Sequence, residues 1–247
     1  MQVEIKNQRV QCYKCMRPSS TCICKHISAI RTKTRFIILM HPKEYRKEKS
    51  GTGHITNLQL ENSEIIVGVD FTNNKRVNEL LTQDNSSSFL LYPGKDNFNL
   101  SLRQSSDINS FMGENPHIFI LDGTWPCARK MLKLSKNLQK LQRVSFDNKI
   151  KSKFIIKQQP EPLCLSTIES VFTVLNLLNK GNLEYCDTKN FLVPFEKMIE
   201  HQLDYMVNPN SKNYCSTLKK KVITKDLYKK NTERNIIFEQ DKLELLN

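Results

Sequence analysis

The sequence predicts an α/β fold that carries a small cysteine-rich module at its N terminus. Three observations lead there. Apolar runs of strand length, such as Phe36-Ile37-Ile38-Leu39-Met40 and His117-Ile118-Phe119-Ile120-Leu121, alternate with segments patterned for helices. The second of these runs passes through Asp122-Gly123-Thr124-Trp125 into Pro126, so a strand end, a glycine and a helix start meet within a few residues. Four of the eight cysteines stand close together near the N terminus. The 247 residues can bury a full core, and one large domain with a small appendage is the division expected.

The cysteines come first, as Cys12-x2-Cys15-x6-Cys22-x-Cys24. Nothing resembles a signal peptide, and the longest apolar runs fall far short of the roughly 20 residues of a membrane span, so a cytoplasmic location without membrane association is expected. In that setting clustered cysteines point to metal rather than disulfides. Two short chelating turns can close a tetrahedron of thiolates around a structural Zn2+, and Lys14, Arg17 and Lys25 lie alongside to offset the negative charge. A redox pair at Cys12 and Cys15, or an iron–sulfur site, is the competing reading. Cys127, Cys164, Cys186 and Cys215 read as ordinary thiols. The zinc module is assigned to residues 1–30, the main domain to 31–207 and a basic extension to 208–247.

Phe36 to Met40 reads as a buried first strand, stopped by His41-Pro42 because proline cannot extend a central ladder. A basic loop follows, in which His41 and Glu44 either position a substrate or merely close the strand end, and then a helix patterned at Ile55, Leu58 and Leu60. Further strands are expected at Ile65 to Val69 and Ser88 to Tyr92, the latter ending in the turn Pro93-Gly94. Thr72 to Gln83 and Ser101 to Met112 carry modest helical patterning. After the central strand, Pro126 suits the first residue of a helix, where its missing N–H costs nothing. Along that helix Arg129, Lys133, Lys136, Lys140 and Arg143 step by four and three, with Lys130 beside them, and so share one side if the helix is continuous. A break at Ser135 would split the row into two patches. Val144 to Phe146 and Phe154 to Ile156 are short strand candidates. Ser166-Thr167-Ile168-Glu169 is a capping box, opening a helix that Gly181 ends as a left-handed cap. Phe191 to Met206 forms a last amphipathic helix.

Charge adds a class of partner. The chain holds 38 Lys and Arg against 25 Asp and Glu, a formal net charge of +13. Residues 1–50 hold twelve basic and three acidic side chains, and residues 126–157 hold ten and one. Positive charge concentrated on both flanks of the strand-to-helix turn favours a polyanion such as RNA; a merely solvated surface is the alternative.

The motifs resemble those of a known family. Asp122, Thr124 and Trp125, in the setting LDGTWPCARKM, are similar to the signature of the DTW-domain proteins, and Cys12-x2-Cys15-x-Arg17-Pro18-x3-Cys22-x-Cys24 is similar to the start of bacterial members. His41-Pro42-x-Glu44, Thr52-Gly53, Tyr92-Pro93-Gly94 and Ser166-Thr167-x-Glu169 follow in the family's order, although His54 stands where arginine is frequent and Ser170 where alanine is usual. The resemblance covers Cys12 to about Met206. It implies a SPOUT-like knotted sheet with flanking helices, and an S-adenosylmethionine site made by three loops, here Tyr92 to Gly94, Leu121 to Trp125 and Gln159 to Thr167. The implied cofactor contacts are Tyr92, Pro93, Gly94, Leu121, Gly123, Gln159, Leu165, Ser166 and Thr167.

The implied activity is transfer of the 3-amino-3-carboxypropyl group of S-adenosyl-L-methionine to N3 of a tRNA uridine, releasing methylthioadenosine. Asp122 would accept or share the N3 proton, Trp125 would stack on uracil or shape the sulfonium's surroundings, and Thr124 would hydrogen-bond the cofactor. Arg129, Lys130, Lys133, Lys136, Lys140 and Arg143 would contact tRNA, and no protein partner is evident. Two other classes remain open, a SPOUT-type RNA methyltransferase and a zinc-containing RNA-binding protein without activity. No G-x-G-x-x-G follows any expected strand, so an ordinary Rossmann methyltransferase site is unsupported.

Overall fold

The computed structural model of the chain describes residues 10–47, 51–94, 97–148, 151–154, 156, 164–207 and 210; at 47 and 205–207 it describes the backbone alone. Two compact units emerge, Met1–Ser152 with Gln159–Phe195, and Lys153–Gln158 with Glu196–Asn247. The basic extension, Ile155 and the predicted contact Gln159 lie outside the described residues.

The first unit is built on one parallel six-stranded sheet of β1 (Arg35–Met40), β2 (Ser63–Val67), β3 (Ser87–Leu91), β4 (Asn97–Asn99), β5 (Pro116–Asp122) and β6 (Gln142–Ser145), in the order β2-β1-β5-β3-β6-β4. The mixed α/β class is as the sequence predicts. Phe36, Ile37, Ile38, Leu39 and Met40 are all fully buried, as strands covered on both faces require. Ile37, Leu39, Leu90 and Phe119 pack against Val77 and Leu80 of α3 (Lys75–Leu81), Met131 and Leu132 of α5 (Trp125–Leu134) and Leu138 of α6 (Lys136–Gln139). Elsewhere in this unit α2 (Thr52–Gln59) contacts β1, β2 and α7 (Thr167–Lys180). The remaining α-helices among the described residues are α1 (Pro42–Lys47), α4 (Ser105–Met112) and α8 (Val193–Val207), whose first turn belongs to this unit. In the second unit Phe154, Met198, Ile199 and Leu203 are buried, and Lys153 pairs with Glu196 at 2.9 Å.

Several local expectations are corrected. The row from Arg129 to Arg143 does not ride one helix. Ser135 breaks it at φ −85°, ψ 88°, because its hydroxyl accepts from the Phe71 N–H at 3.0 Å and the Thr72 hydroxyl donates to the Leu134 carbonyl at 3.1 Å. Arg143 lies on β6. Residues 42–47, read as loop, form α1, with proline in its first turn where no N–H is required. Phe154 belongs to no strand, and β4, a short Asn-Phe-Asn edge strand with no apolar alternation to announce it, was not expected.

Gly181 is not left-handed either: its φ is −74°, and Asn182, at φ 56°, takes that conformation instead. Glycine is needed at 181 for space. A Cβ there would stand 3.1 Å from Ile108 Cδ1 and 3.3 Å from the Leu177 carbonyl.

Candidate functional site

The strand order sets where the site lies. From β1 the chain proceeds to β2 on one flank, whereas from β5, the neighbour of β1, it proceeds past β3 to β6 on the other. The connections leave these two adjacent strands in opposite directions, so a crevice opens at their carboxyl ends, the usual ligand position in an open parallel sheet. The residues at that crevice are His41, just past β1, and Asp122, the last residue of β5. The His41 N–H donates to the Asp122 carbonyl at 2.8 Å.

Asp122 is 7% exposed, and its Oδ1 accepts the Thr167 hydroxyl at 2.5 Å. Thr167 is the first residue of α7, so the carboxylate stands at a helix N-terminus, where the dipole favours negative charge. Ser166 is the N-cap; its N–H donates to Glu169 Oε2 at 2.9 Å within the predicted capping box. From the opposite side Gly53 packs so closely that a Cβ would overlap Asp122 Oδ2 and the Met40 methyl. Gly123 is similarly pressed, since a Cβ would lie 3.2 Å from Cys127 and 3.4 Å from His41. Hydroxyl, helix end and glycine wall thus hold one carboxylate in a fixed direction. The role of Gly53 was not legible in the sequence beyond its T-G setting.

A second group gathers beside it. Trp125, the single tryptophan, opens α5 with 36% of its surface exposed and meets Tyr92 edge-on, ring centroids 6.3 Å apart. The Arg143 guanidinium lies 5.6 Å over the same Tyr92 ring and presses on Gly94, where a Cβ would come within 2.7 Å of Nη1. Thr124 is the N-cap of α5 through its carbonyl, which accepts from Ala128 at 2.8 Å; its exposed side chain makes no cap bond. Pro126 therefore sits one residue further into the helix than expected. Leu121 and Gly123 are half-buried on either side of Asp122, Pro93 and Gly94 follow Tyr92, and Leu165 is half-buried before Ser166. Among the described residues Tyr92 meets Trp125, and Thr167 meets Asp122.

Positive charge borders the crevice. Burial, then Lys43 and Lys130, hold the His41 pKa below its ordinary 6.5 against the pull of Glu44, and Nδ1 accepts the Lys43 N–H at 3.1 Å, both of which favour the neutral ring. Arg129, Lys130 and Lys133 are exposed on α5; Lys136 and Lys140 are exposed on and just beyond α6. The row is therefore two patches, with Arg143 set apart against Tyr92.

The four N-terminal sulfurs converge. Cys12, Cys15, Cys22 and Cys24 place their Sγ atoms within 4.8 Å of one another, with Cys12 to Cys24 at 3.6 Å and Cys15 to Cys22 at 3.7 Å. Zn–S bonds of about 2.3 Å in a tetrahedron demand edges of about 3.8 Å, so the donor set and its spacing fit zinc. Met16 adopts φ 58° to bring the first pair together, and the Cys12 N–H donates to the Arg17 carbonyl at 2.7 Å. Arg17 is 5% exposed, and its charge acts on Cys15, Cys22 and Cys24, as a counter-ion to thiolates should. Arg17 also depresses the pKa of His54 on α2, after burial, which ties the module to the helix that carries Gly53. No helix among the described residues is long and apolar enough to cross a membrane.

The DTW domain family matches residues 9–203 of the chain. The chain is similar to tRNA-uridine aminocarboxypropyltransferase 2 of Drosophila melanogaster, 30% identical over 205 residues that cover 80% of this chain and 77% of that protein. It is similar to the protein of the same name in Mus musculus, 25% identical over 210 residues, 82% of this chain and 67% of the other. No solved structure matches.

Proposed function

Because the chain belongs to the DTW domain family, we propose that it transfers the 3-amino-3-carboxypropyl group of S-adenosylmethionine to N3 of a uridine in tRNA. When bound, that sulfonium supplies an electrophilic carbon, so that an N–C bond forms at N3 as a C–S bond breaks and methylthioadenosine leaves. The residues' part is to orient and to move one proton. Uridine N3 is protonated at neutral pH and must lose that proton to attack. Asp122 receives it, directed by the Thr167 hydroxyl and backed by Gly53. Trp125 and Tyr92 offer aromatic surfaces for the uracil and the adenosine, Thr124 offers an exposed hydroxyl, and the start of α7 at Ser166 and Thr167 suits the carboxylate of the amino acid arm. The remaining cofactor contacts proposed are Pro93, Gly94, Leu121, Gly123, Gln159 and Leu165.

The observation that carries this reading is the Asp122 carboxylate, buried and held at a strand end by Thr167 three residues before an exposed indole. The parallel sheet is compatible with a SPOUT-like arrangement, the knot being part of the proposal. Zinc at Cys12, Cys15, Cys22 and Cys24 is structural, within a module of 1–30 ahead of a catalytic domain of 31–207. Arg129, Lys130, Lys133, Lys136, Lys140 and Arg143 serve tRNA, in a protein of the cytoplasm.

The test is incubation of the purified chain with unmodified tRNA and S-adenosylmethionine. Methylthioadenosine and a uridine heavier by the aminocarboxypropyl group are expected. S-adenosylhomocysteine with a methylated nucleoside would replace this reading by a methyltransferase, and tRNA binding without any product would leave only a binding protein.

A further inference from the structure

Beyond the crevice, a hollow of about 230 Å³ opens at the β4 and β6 edge of the sheet, lined by Asn97, Phe98, Arg103, Phe111, Gln142 and Arg143. Its two cations are each held on an aromatic ring. Arg103 Cζ lies 5.1 Å over Phe98, which stacks on Phe111 with centroids 3.9 Å apart and planes 5° from parallel, while Arg143 Cζ lies 5.6 Å over Tyr92. Among the described residues neither guanidinium forms an ion pair with a carboxylate. A guanidinium fixed over a ring has lost much of its side-chain freedom in advance and keeps its forked N–H donors, the arrangement that recognises phosphate oxygens. Gln142, also on the rim, adds an exposed neutral amide.

We propose that this hollow holds a backbone phosphate of the RNA strand next to the uridine being modified, with Arg103 and Arg143 as its two clamps. This deepens the reading of the chain as a tRNA-modifying enzyme and rests on it. Size argues against the sulfonium cofactor here, because small-molecule pockets start at roughly 300 Å³ and such a ligand would fill one. Continuity argues for RNA. Arg143 borders both the hollow and Tyr92, and Tyr92 borders Trp125, so a strand with its target base at Trp125 runs directly toward Arg103. Arg103 itself is exposed and carries no part of the core, which makes it a clean probe.

The experiment uses the full chain loaded with zinc and a fluorescent unmodified tRNA transcript, with affinity read at several salt concentrations. Arg103→Gln should weaken binding about tenfold at moderate salt and lower the slope of log K against log salt by about one. Gln142→Ala should weaken it less, and Lys75→Gln, an equal charge loss on α3, should leave it unchanged. The affinity for S-adenosylmethionine should be the same in Arg103→Gln as in the parent chain. An unaltered tRNA affinity in Arg103→Gln, or a loss of S-adenosylmethionine affinity in its place, overturns the proposal. Product analysis of the parent chain reports on the catalytic reading separately, so each can fail without the other.

Discussion

The Thr167 hydroxyl donates to Asp122 Oδ1 at 2.5 Å, joining the first residue of α7 to the last residue of β5 across 45 positions of sequence. Asp122→Asn keeps the size of the side chain and removes the base. Transfer to tRNA should fall at least about a hundredfold, with thermal unfolding little changed, as release of methylthioadenosine and a melting curve would register. Thr167→Val removes only the directing hydroxyl and should cost about tenfold.

Gly53 offers a steric counterpart. Gly53→Ala forces a methyl group into Asp122 Oδ2 and the Met40 methyl, so the carboxylate must turn away. Activity should drop to near that of Asp122→Asn although alanine is the better helix former. A variant as active as its parent would show that the direction of this carboxylate does not matter.

Trp125 gives the protein a built-in signal, since it is the single tryptophan and stands at the crevice with 36% of its surface exposed. Titration with S-adenosylmethionine or tRNA should change its emission, and Trp125→Ala should raise KM for one of them while leaving the melting temperature within a few degrees.

The cysteine tetrad should bind one zinc per chain in metal analysis. Cys15, buried at 2% exposure, is the ligand whose loss the fold feels most. Cys15→Ala should abolish stoichiometric zinc, lower the unfolding transition and expose the module to protease, since metal-binding energy in such small sites is folding energy.

Among the described residues, three histidines should make stability depend on pH. His41, His54 and His117 all titrate below their ordinary 6.5 in the fold, with burial the leading cause. Between those folded values and 6.5 the unfolded chain binds protons that the folded chain does not, so stability is fully present above about 6.5 and is lost as pH falls through the window. Denaturant midpoints should therefore drop from about pH 7.5 to about pH 5.5. His117, 4% exposed and 3.1 Å from the Leu80 carbonyl through Nδ1, should account for part of the slope, which His117→Gln would flatten.

Cysteine spacing and apolar runs by themselves determined the cysteine tetrad, the five longer strands among the described residues, and the turn that carries Asp122 and Trp125. These features are local: a chelating turn, a buried run and a helix start each declare themselves within a dozen residues. Tertiary structure alone decided what those residues meet. Ser135 ends α5 because its hydroxyl finds the Phe71 N–H 64 residues away, a partner that helical periodicity cannot contain. Gly181 is glycine because Ile108 crowds it, whereas the sequence pattern suggested a backbone reason. Arg143 left the basic row for β6, where pairing with Leu90 sets it against Tyr92 and beside Arg103. Hydrogen bonds and ring contacts between distant segments form only once the sheet has closed, and so the order of strands, not the order of residues, placed Thr167 on Asp122.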